Sequence, residues 1–338
     1  EWVKIQAKPK VWADYLYHFK NQSIDMMVTA EHQMVVKRRR RSPGEIFRTT
    51  AKELWSMSEV VVPLTGHWGV ETQGFLFGMD AGDVAELVGW YIAEGSYKHR
   101  NGFKHTIQIA QCPKHNPGNC RRLESLFDRL GLAWKDYGGA YGLKTKTMPI
   151  ELKNLLHEQP LSGEKFIPPL FFRQSKEVIE RLLQGLLLGD GCTTPANGSR
   201  KERVSFFTKS QRLAGDVQAL VLLAGSRAGV RKRKNADLYI VSINRKKWAS
   251  IDDAKFAIVP YNDHAFCVTV KNHAIYVRRN GVAAFTGNSN YLELLLTLPQ
   301  KYGPPEVYTV GPPKDKDGVA VFNSSGKQIS GETLTKSQ

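Results

Sequence analysis

The pattern of apolar and polar positions changes twice along the chain. Residues 1–80 contain short alternating runs, such as SIDMMVT and EVVVPLTG, separated by turn residues, and this pattern predicts an all-β region. From about Gly82 to Ser250, longer apolar segments with helical spacing alternate with strand-like segments. After Ser250 the β pattern returns in DHAFCVTV and AIYVRRNGVAAFTG. The order predicts a β domain that is interrupted by an inserted α+β domain.

The inserted region contains two related copies of one pattern. The first copy runs through AELVGWYIAEG, HTIQIAQ, NCRRLESLFDRLGL, a hairpin near Gly138 and the helix PIELKNLLHE. The second runs through EVIERLLQGLLLGDG, RVSFFT, QRLAGDVQALVLLAG and the strands RAGVRKR and LYIVSINRK. Such a repeat indicates two like units packed about a shared axis. We expect two αββαββα units, at about 81–160 and 165–250, within an inserted domain at 81–255.

The first helix of each copy ends in an acid and a glycine, Glu94-Gly95 and Asp190-Gly191. Each helix also carries two small residues four positions apart, so the two helices can pack closely. A helix C-terminus is negative, and it repels both a carboxylate of its own and a second one opposite. A divalent cation would relieve this repulsion and could activate water for attack on a phosphate. The pattern predicts Glu94 and Asp190 as ligands of Mg²⁺ or Mn²⁺.

The net charge of +16 over 338 residues indicates a polyanionic partner, and nucleic acid is the leading candidate. No apolar run approaches the roughly 20 residues that cross a bilayer, and the first residues lack the apolar centre of a secretory signal. We therefore expect a cytoplasmic protein without a membrane partner. The four cysteines are too scattered for a disulfide framework. Cys112, His115 and Cys120 fit no standard zinc spacing, so an ordinary loop is favoured there.

The two acid-bearing segments resemble the paired motifs of the LAGLIDADG homing endonucleases, and KFIPPLF resembles the Lys-x-Ile-Pro block of that family. The resemblance implies that Glu94 and Asp190 are catalytic metal ligands. It also implies that Lys165 is an active-site lysine that stabilises phosphate charge or orients the attacking water. Lys246 and Lys247 are candidates for the symmetry mate of Lys165.

The same resemblance implies a monomer that binds a long double-stranded DNA site through two saddle-shaped sheets. Most basic side chains on these sheets would contact phosphates, and a minority would read bases. The DNA-binding candidates are Lys135, Lys144 and Lys146 in the first copy, and Arg231, Lys232, Arg233, Lys234, Arg245 and Lys246 in the second.

The segments on either side of the insertion resemble inteins. VTAEH is similar to their Thr-x-x-His block, and FCVTVKNHAIYVRRNGVAAFTGNS is similar to their C-terminal blocks. The resemblance implies an all-β splicing domain of the Hint type, formed by residues 1–80 and 256–288. Residues 289–338 would then be the start of a downstream host segment, the extein, which is the partner in cis. Splicing would need no cofactor.

The splicing roles follow from this resemblance and from the chemistry of the residues. The Asn288 side chain would attack its own main-chain carbonyl, and Ser289 would first accept the upstream chain on its hydroxyl. His32 would polarise the upstream peptide bond or protonate its nitrogen. Two further residues would position or assist: Thr29 at the upstream bond and His273 at Asn288. Cys267 occupies a position where many inteins carry an acid or a cysteine, and it would tune proton transfer.

This chain departs from the intein pattern at three places: at Gly287, at the missing first nucleophile, and at Met34, where inteins without an N-terminal nucleophile usually carry tryptophan. Gly287 replaces the histidine that usually precedes the asparagine, so cyclisation would depend more on His273. No first nucleophile precedes the Thr29 block; either the chain is truncated at its N-terminus, which we favour, or Cys267 makes the first attack. Two other functions stay open: a DNA-binding LAGLIDADG protein that has lost cleavage, and a free-standing endonuclease without splicing.

Overall fold

The computed structural model describes residues 2–39, 45–71, 74–100, 103–160, 163–197, 202–252 and 255–288, with three short strands further on. It divides into two compact units: residues 66–245, called the helix-pair unit, and residues 1–65 with 246–338, called the β unit. The expected boundaries lay near 80 and 255. The difference arises because Trp68 is buried in the core of the helix-pair unit, where its Nε1 donates to the main-chain oxygen of Gln174 at 2.7 Å.

The N-terminal part of the β unit is mostly extended. One element was not expected, the helix α1, where Thr50 and Glu53 form a reciprocal capping box that starts a helix between two strands. The elements are β1 (Ile5–Ala7), β2 (Lys10–Lys20), β3 (Asp25–Val28), β4 (Gln33–Arg38), β5 (Ile46–Thr50), α1 (Ala51–Trp55) and β6 (Val60–Pro63).

The helix-pair unit begins with a short hairpin and continues with two successive copies of a helix and sheet pattern. Its first copy has the expected αββαββα order, whereas the described second copy ends at its fourth strand. A strand, β13, follows Asp190 directly, as the expected order requires. The elements are β7 (Phe75–Leu76), β8 (Met79–Asp80), α2 (Ala81–Glu94), β9 (Gly95–Arg100), β10 (Phe103–Ala110), α3 (Pro117–Arg129), β11 (Trp134–Asp136), β12 (Ala140–Leu143), α4 (Ile150–His157), a 3₁₀ turn (Pro169–Arg173), α5 (Lys176–Asp190), β13 (Gly191–Thr194), β14 (Arg203–Thr208), α6 (Gln211–Leu223), β15 (Arg227–Lys232) and β16 (Tyr239–Asn244).

The chain then returns to the β unit. Its strands there are β17 (Trp248–Ser250), β18 (Lys255–Phe266), β19 (Thr269–Val270), β20 (Ala274–Arg279) and β21 (Val282–Gly287). β17 pairs with β6, which is why residues 248–250 belong to this unit and not to the insertion. The sheets have the orders β17-β6-β4-β5, β18-β2-β3, β1-β19 and β20-β21. The core of the unit contains Phe19, Met34, Leu54 and Val62.

The helix-pair unit has one four-stranded antiparallel sheet in each copy, with orders β11-β12-β10-β9 and β13-β14-β16-β15. Alternate strand residues, such as Ile107 and Ile109 in the first sheet and Phe206 and Val241 in the second, are buried in one core with α2 and α5. Because only every second strand residue is buried in this core, the opposite face of each sheet is left open.

Helices α2 and α5 pack backbone to backbone at two glycines. A Cβ added to Gly89 would lie 2.3 Å from the main-chain oxygen of Leu182, and one added to Gly185 would lie 2.4 Å from that of Glu86. No side chain fits such distances, so the small residues predicted on these helices are what allows the crossing.

Beyond residue 308, the strands β22 (Thr309–Gly311), β23 (Ala320–Phe322) and β24 (Gln328–Ile329) form a sheet of their own. Among the helices in the described part of the chain, none combines the length and the apolar character of a membrane span.

Candidate functional site

The two acids are the last residues of the paired helices. Glu94 ends α2 and Asp190 ends α5, and each helix continues directly into a strand. The intervening Gly95 and Gly191 have extended conformations, with φ of −85° and −99°, so they are not left-handed helix caps. Glycine is needed there for space, because an added Cβ would lie 2.2 Å from Tyr91 Cδ2 or from Leu187 O.

Burial raises the pKa values of both carboxyl groups. Burial is the main cause for Asp190, with the charge of Glu94 second, and its pKa rises to about 6. Burial also raises the pKa of Glu94, against the opposing effect of Lys165. Two carboxylates held close in partly desolvated positions repel each other, and a bound divalent cation relieves this repulsion.

Lys165 lies beside both acids, but its ammonium group is bound to main-chain oxygens. Nζ donates to the carbonyls of Ile92 at 2.7 Å, Gly95 at 2.9 Å and Tyr91 at 3.4 Å. The side chain is buried, and burial lowers its pKa against the opposing charges of Asp190 and Glu94. Lys165 therefore neutralises the negative end of α2 and is oriented toward the helix end.

The donor set for a metal consists of the two carboxylates. Among the residues with described positions, no group of three or more His, Cys, Asp and Glu side chains could hold a metal ion. In the segment with Cys112, His115 and Cys120, Cys120 is buried, and the amide nitrogen of His115 closes a turn on the oxygen of Cys112.

The open face of the second sheet carries different residues from those predicted. Because Val230 and Val241 pair on the core face, Arg231 points to the open face, whereas Lys232 is aligned with the core residues. The Lys232 Nζ lies 2.9 Å from Asp237 and over the Tyr239 ring. Lys232, a predicted DNA contact, is therefore exposed but lies on the side of the strand that carries the core residues. Arg203, Ser205 and Ser242 share the open face but were missed.

The remaining basic candidates of the second copy lie at the ends of its strands. Arg233 and Lys234 are exposed in the β15–β16 turn, and Arg245 is exposed at the last position of the unit. Lys246 is exposed and belongs to the β unit, where its Nζ donates to Ser23 Oγ at 3.4 Å. Lys247 also lies in the β unit.

The first sheet also has an open face. Lys135 lies on this face, where it pairs with Gly142, and Gln108 lies between Ser96 and Gly142. Lys144 and Lys146 are exposed in the turn after β12. Gln108, Ser96 and the exposed Lys98 were missed, although the alternation of HTIQIAQ indicates the side on which Gln108 lies.

An ionic network lies near the other end of the helix pair, and sequence reasoning did not find it. Glu86, which is fully buried, is bound by Arg122 and lies 2.7 Å from Arg181 of α5. Asp83 binds Arg181 and also accepts from Arg129 at 2.8 Å. Arg181 therefore joins the two copies through charge as well as through packing.

In the β unit, His32 is buried and linked to the last strand. Its Nε2 lies 2.9 Å from Oγ1 of Thr286, and burial lowers its pKa to about 4. The main-chain oxygen of Thr29 accepts from the amide nitrogen of His32 at 3.1 Å. The structure therefore joins Thr29, His32 and Thr286 through hydrogen bonds.

Asn288 follows β21 and is buried beside His273. Its amide group lies 3.2 Å from Nδ1 of His273, and in the better-satisfied orientation the amide oxygen accepts from Val270 N at 3.3 Å. A Cβ on Gly287 would lie 2.4 Å from the main-chain oxygen of Gln33, so a histidine cannot be placed there without displacement. Cys267 is partly exposed, and its amide nitrogen binds Pro9 O at 3.0 Å. Ser289 lies outside the described residues.

Comparisons with known proteins show one similarity to a family model. Residues 177–250 match the model of the LAGLIDADG-like domain. An uncharacterized protein of Methanocaldococcus jannaschii is 26% identical over 173 residues, which cover 48% of this chain and 19% of that protein. A DNA polymerase of Thermococcus hydrothermalis is 27% identical over 170 residues, 48% of this chain and 9% of the polymerase. The chain thus matches only a small part of either relative's length.

Among solved structures, that of I-DmoI in complex with DNA and Mn is similar at a TM-score of 0.34 and 16% identity. The match covers 48% of this chain and 90% of that chain. The family match spans α5 to β17, which includes Asp190 and the sheet of the second copy. The similarity to the LAGLIDADG-like domain thus lies in residues 177–250.

Proposed function

We propose that the helix-pair unit is a metal-dependent endonuclease that cuts both strands of double-stranded DNA. The observation that carries the proposal is the pair of partly buried carboxylates, Glu94 and Asp190, at the ends of two helices in backbone contact. Their raised pKa values indicate a site where negative charge is concentrated without sufficient compensation.

These two side chains fit a hard divalent cation. Glu94 and Asp190 would hold Mg²⁺ or Mn²⁺, which would polarise a scissile phosphate and activate water. A two-carboxylate set leaves other coordination positions for water and phosphate oxygens, as Mg²⁺ prefers. The open sheet faces supply the DNA contacts: Arg203 and Arg231 carry charge for phosphates, while Gln108, Ser205 and Ser242 can bond base edges.

Cleavage is tested with a library of long DNA sites in Mg²⁺, with the new DNA ends mapped by sequencing. We expect a double-strand cut at a small set of related sites, abolished on addition of chelator. Glu94→Gln and Asp190→Asn should stop cutting while binding persists. Glu151→Gln is the matched control, because Glu151 is an exposed acid at the start of α4. Binding without cutting at any site would favour the DNA-binding protein that has lost cleavage.

A second function, autocatalytic cleavage in the β unit, is supported by a separate observation. The buried amide of Asn288 lies 3.2 Å from the His273 imidazole. The amide nitrogen would attack the main-chain carbonyl of Asn288, lose a proton to His273, and displace the amino group of Ser289, which takes up a proton. The products are a chain ending in a cyclic imide and a segment that begins with Ser289. In splicing, an ester on Ser289 would precede this step.

The cyclisation step can be followed on the chain as it is. We expect slow release of residues 289–338, identified by mass, with a newly formed imide on the larger fragment. Asn288→Ala should abolish release and His273→Ala should slow it, while Asn235→Ala, in an exposed turn of the other unit, should not affect it. An intact chain after prolonged incubation would leave the free-standing endonuclease as the better description.

A further inference from the structure

The hydrogen bonds of Lys165 give it a role different from that of a phosphate-binding lysine. An ammonium group has three protons, and three main-chain oxygens, of Tyr91, Ile92 and Gly95, lie within hydrogen-bond distance of this one. The side chain is only 9% exposed. In this arrangement no proton remains for a phosphate oxygen.

The three acceptors lie on both sides of Glu94. Tyr91 and Ile92 belong to the last turn of α2, and Gly95, whose N–H also donates to the Tyr91 carbonyl, begins β9. A single ammonium therefore ties the end of the helix to the start of the strand. The backbone at Glu94 is fixed between these bonds, and its carboxylate with it.

The backbone around Lys165 is held in turn by the rest of the unit. Residues 163–168 form neither helix nor strand. Ser210 Oγ donates to the main-chain oxygen of Lys165 at 2.7 Å, and Asp216 Oδ2 accepts from Ile167 N at 3.0 Å. Ser210 also caps the N-terminus of α6. A flexible lysine on an irregular segment is thus anchored by residues of the second copy.

We propose that Lys165 is a positioning residue, which fixes Glu94 for metal binding through the three carbonyls, and that Asp216 and Ser210 position Lys165. The inference rests on the proposed endonuclease function. Lys165 brings the irregular segment, the first acid and α6 into one connected structure. Substitution of Asp216 therefore acts on the metal site only through Lys165.

The first test measures Mn²⁺ affinity by calorimetry without DNA. Loss of a nearby positive charge by itself tightens cation binding. If Lys165 only repelled the metal ion, Lys165→Met would therefore lower the dissociation constant for Mn²⁺. Positioning predicts the opposite, an increase of about tenfold, which corresponds to about 1.4 kcal/mol. A lower or unchanged dissociation constant overturns the proposal.

The second test is a double-mutant cycle on the rate of a single turnover at saturating DNA. Asp216→Leu removes the acceptor and should slow cutting about tenfold, with DNA affinity unchanged, whereas Asp216→Asn keeps an oxygen and should restore most of the rate. In the Lys165→Met background, Asp216→Leu should have no further effect. Independent, multiplying effects would contradict a shared route through Lys165.

A matched pair separates positioning from stability. Ser210→Ala removes a helix cap and the Lys165 contact, whereas Ser175→Ala removes only the cap of α5. We expect both variants to lose a similar amount of thermal stability, but only Ser210→Ala to cut more slowly and to bind Mn²⁺ more weakly. Equal effects of the two variants on cutting and on Mn²⁺ binding would oppose the proposal.

If the wild type binds Mn²⁺ but never cuts, the endonuclease function fails while the Mn²⁺ test still decides on Lys165. A wild type that binds no Mn²⁺ overturns both.

Discussion

At the scale of single residues, the two acids differ in how their charge is balanced. Glu94 precedes the glycine whose carbonyl oxygen binds Lys165. The largest charge effects on Asp190 are the repulsion of Glu94 and the attraction of Lys165, and its pKa still rises to about 6. Asp190 should therefore dominate the pH behaviour of the metal-free site.

This difference predicts how stability changes with pH. The pKa of Asp190 is above its ordinary value of 3.8 in the folded protein, so the stability linked to this group is fully present below about 4 and is lost as pH rises to about 6. The free energy of unfolding of the metal-free wild type, minus that of Asp190→Asn, should fall across this interval and then level off. Denaturant titrations from pH 4 to 7 measure it; a rising difference would contradict the assignment.

His32 should show the opposite dependence. Burial lowers its pKa to about 4 in the folded chain, against an ordinary value of 6.5. The unfolded state therefore binds the proton first, and stability is lost as pH falls from about 6.5 to about 4. His32→Gln should reduce this acid sensitivity, as measured by thermal unfolding of the β unit. Equal acid sensitivity in the variant would mean that other groups control it.

At the scale of elements, the crossing of α2 and α5 depends on two missing side chains. Gly185→Ala would place a Cβ against main-chain atoms of Glu86 and Trp90, at 2.4 and 2.8 Å, which backbone cannot easily yield. We expect a loss of stability of about 1–3 kcal/mol and impaired cutting. Gly118→Ala in α3 is the matched control: an added Cβ meets nothing within 4 Å, so it should be neutral or slightly stabilising.

Strand alternation gives a second prediction at this scale. Arg203→Ala and Arg231→Ala should each weaken DNA binding and lower the salt dependence of the affinity, by about 0.9 in the logarithmic slope for each phosphate that the protein no longer neutralises. Lys232→Ala should have a smaller effect, because Lys232 is aligned with the core face and paired with Asp237. Binding titrations at several salt concentrations test this order, and a dominant effect of Lys232 would reverse the assigned faces.

The sequence indicated much of this arrangement because helix and strand periods are local. The repeated small residues and terminal acids predicted a helix pair, and the acids do end α2 and α5. What the sequence could not show were contacts between distant residues. Lys165 was recognised from KFIPPLF, but its carbonyl partners lie 70 to 74 positions earlier in the chain. The Arg181 network and the contact between Asp216 and Ile167 depend on tertiary packing in the same way.

At the scale of the whole molecule, each unit has a core of its own. The β unit is closed where the chain leaves and re-enters it. β6 pairs with β17, and the amide nitrogen of Leu64 donates to the oxygen of Lys247 at 2.9 Å. The ends of the inserted segment are thus adjacent within the β unit itself.

This closure predicts that the insertion can be removed. A chain in which residues 66–245 are replaced by a short Gly/Ser linker should retain a cooperative unfolding transition and, if Asn288 cyclises, should release residues 289–338 at a similar rate. The linker has little distance to span, so its entropic cost is small. Circular dichroism and mass measurements on this chain provide the test. A chain without a folded β unit would show that the insertion is needed for stability.

The unlike open faces of the two sheets have a consequence for the direction of the protein on its target. One face carries Gln108, Ser96 and Lys135, and the other carries Arg203, Ser205 and Ser242. An endonuclease with these faces would meet a different chemical edge in each half-site. Its target would therefore not be a palindrome, and inverting the DNA beneath the protein would give a mismatched complex. Although the two helices are related by pseudo-symmetry, the protein would bind its DNA target in one orientation.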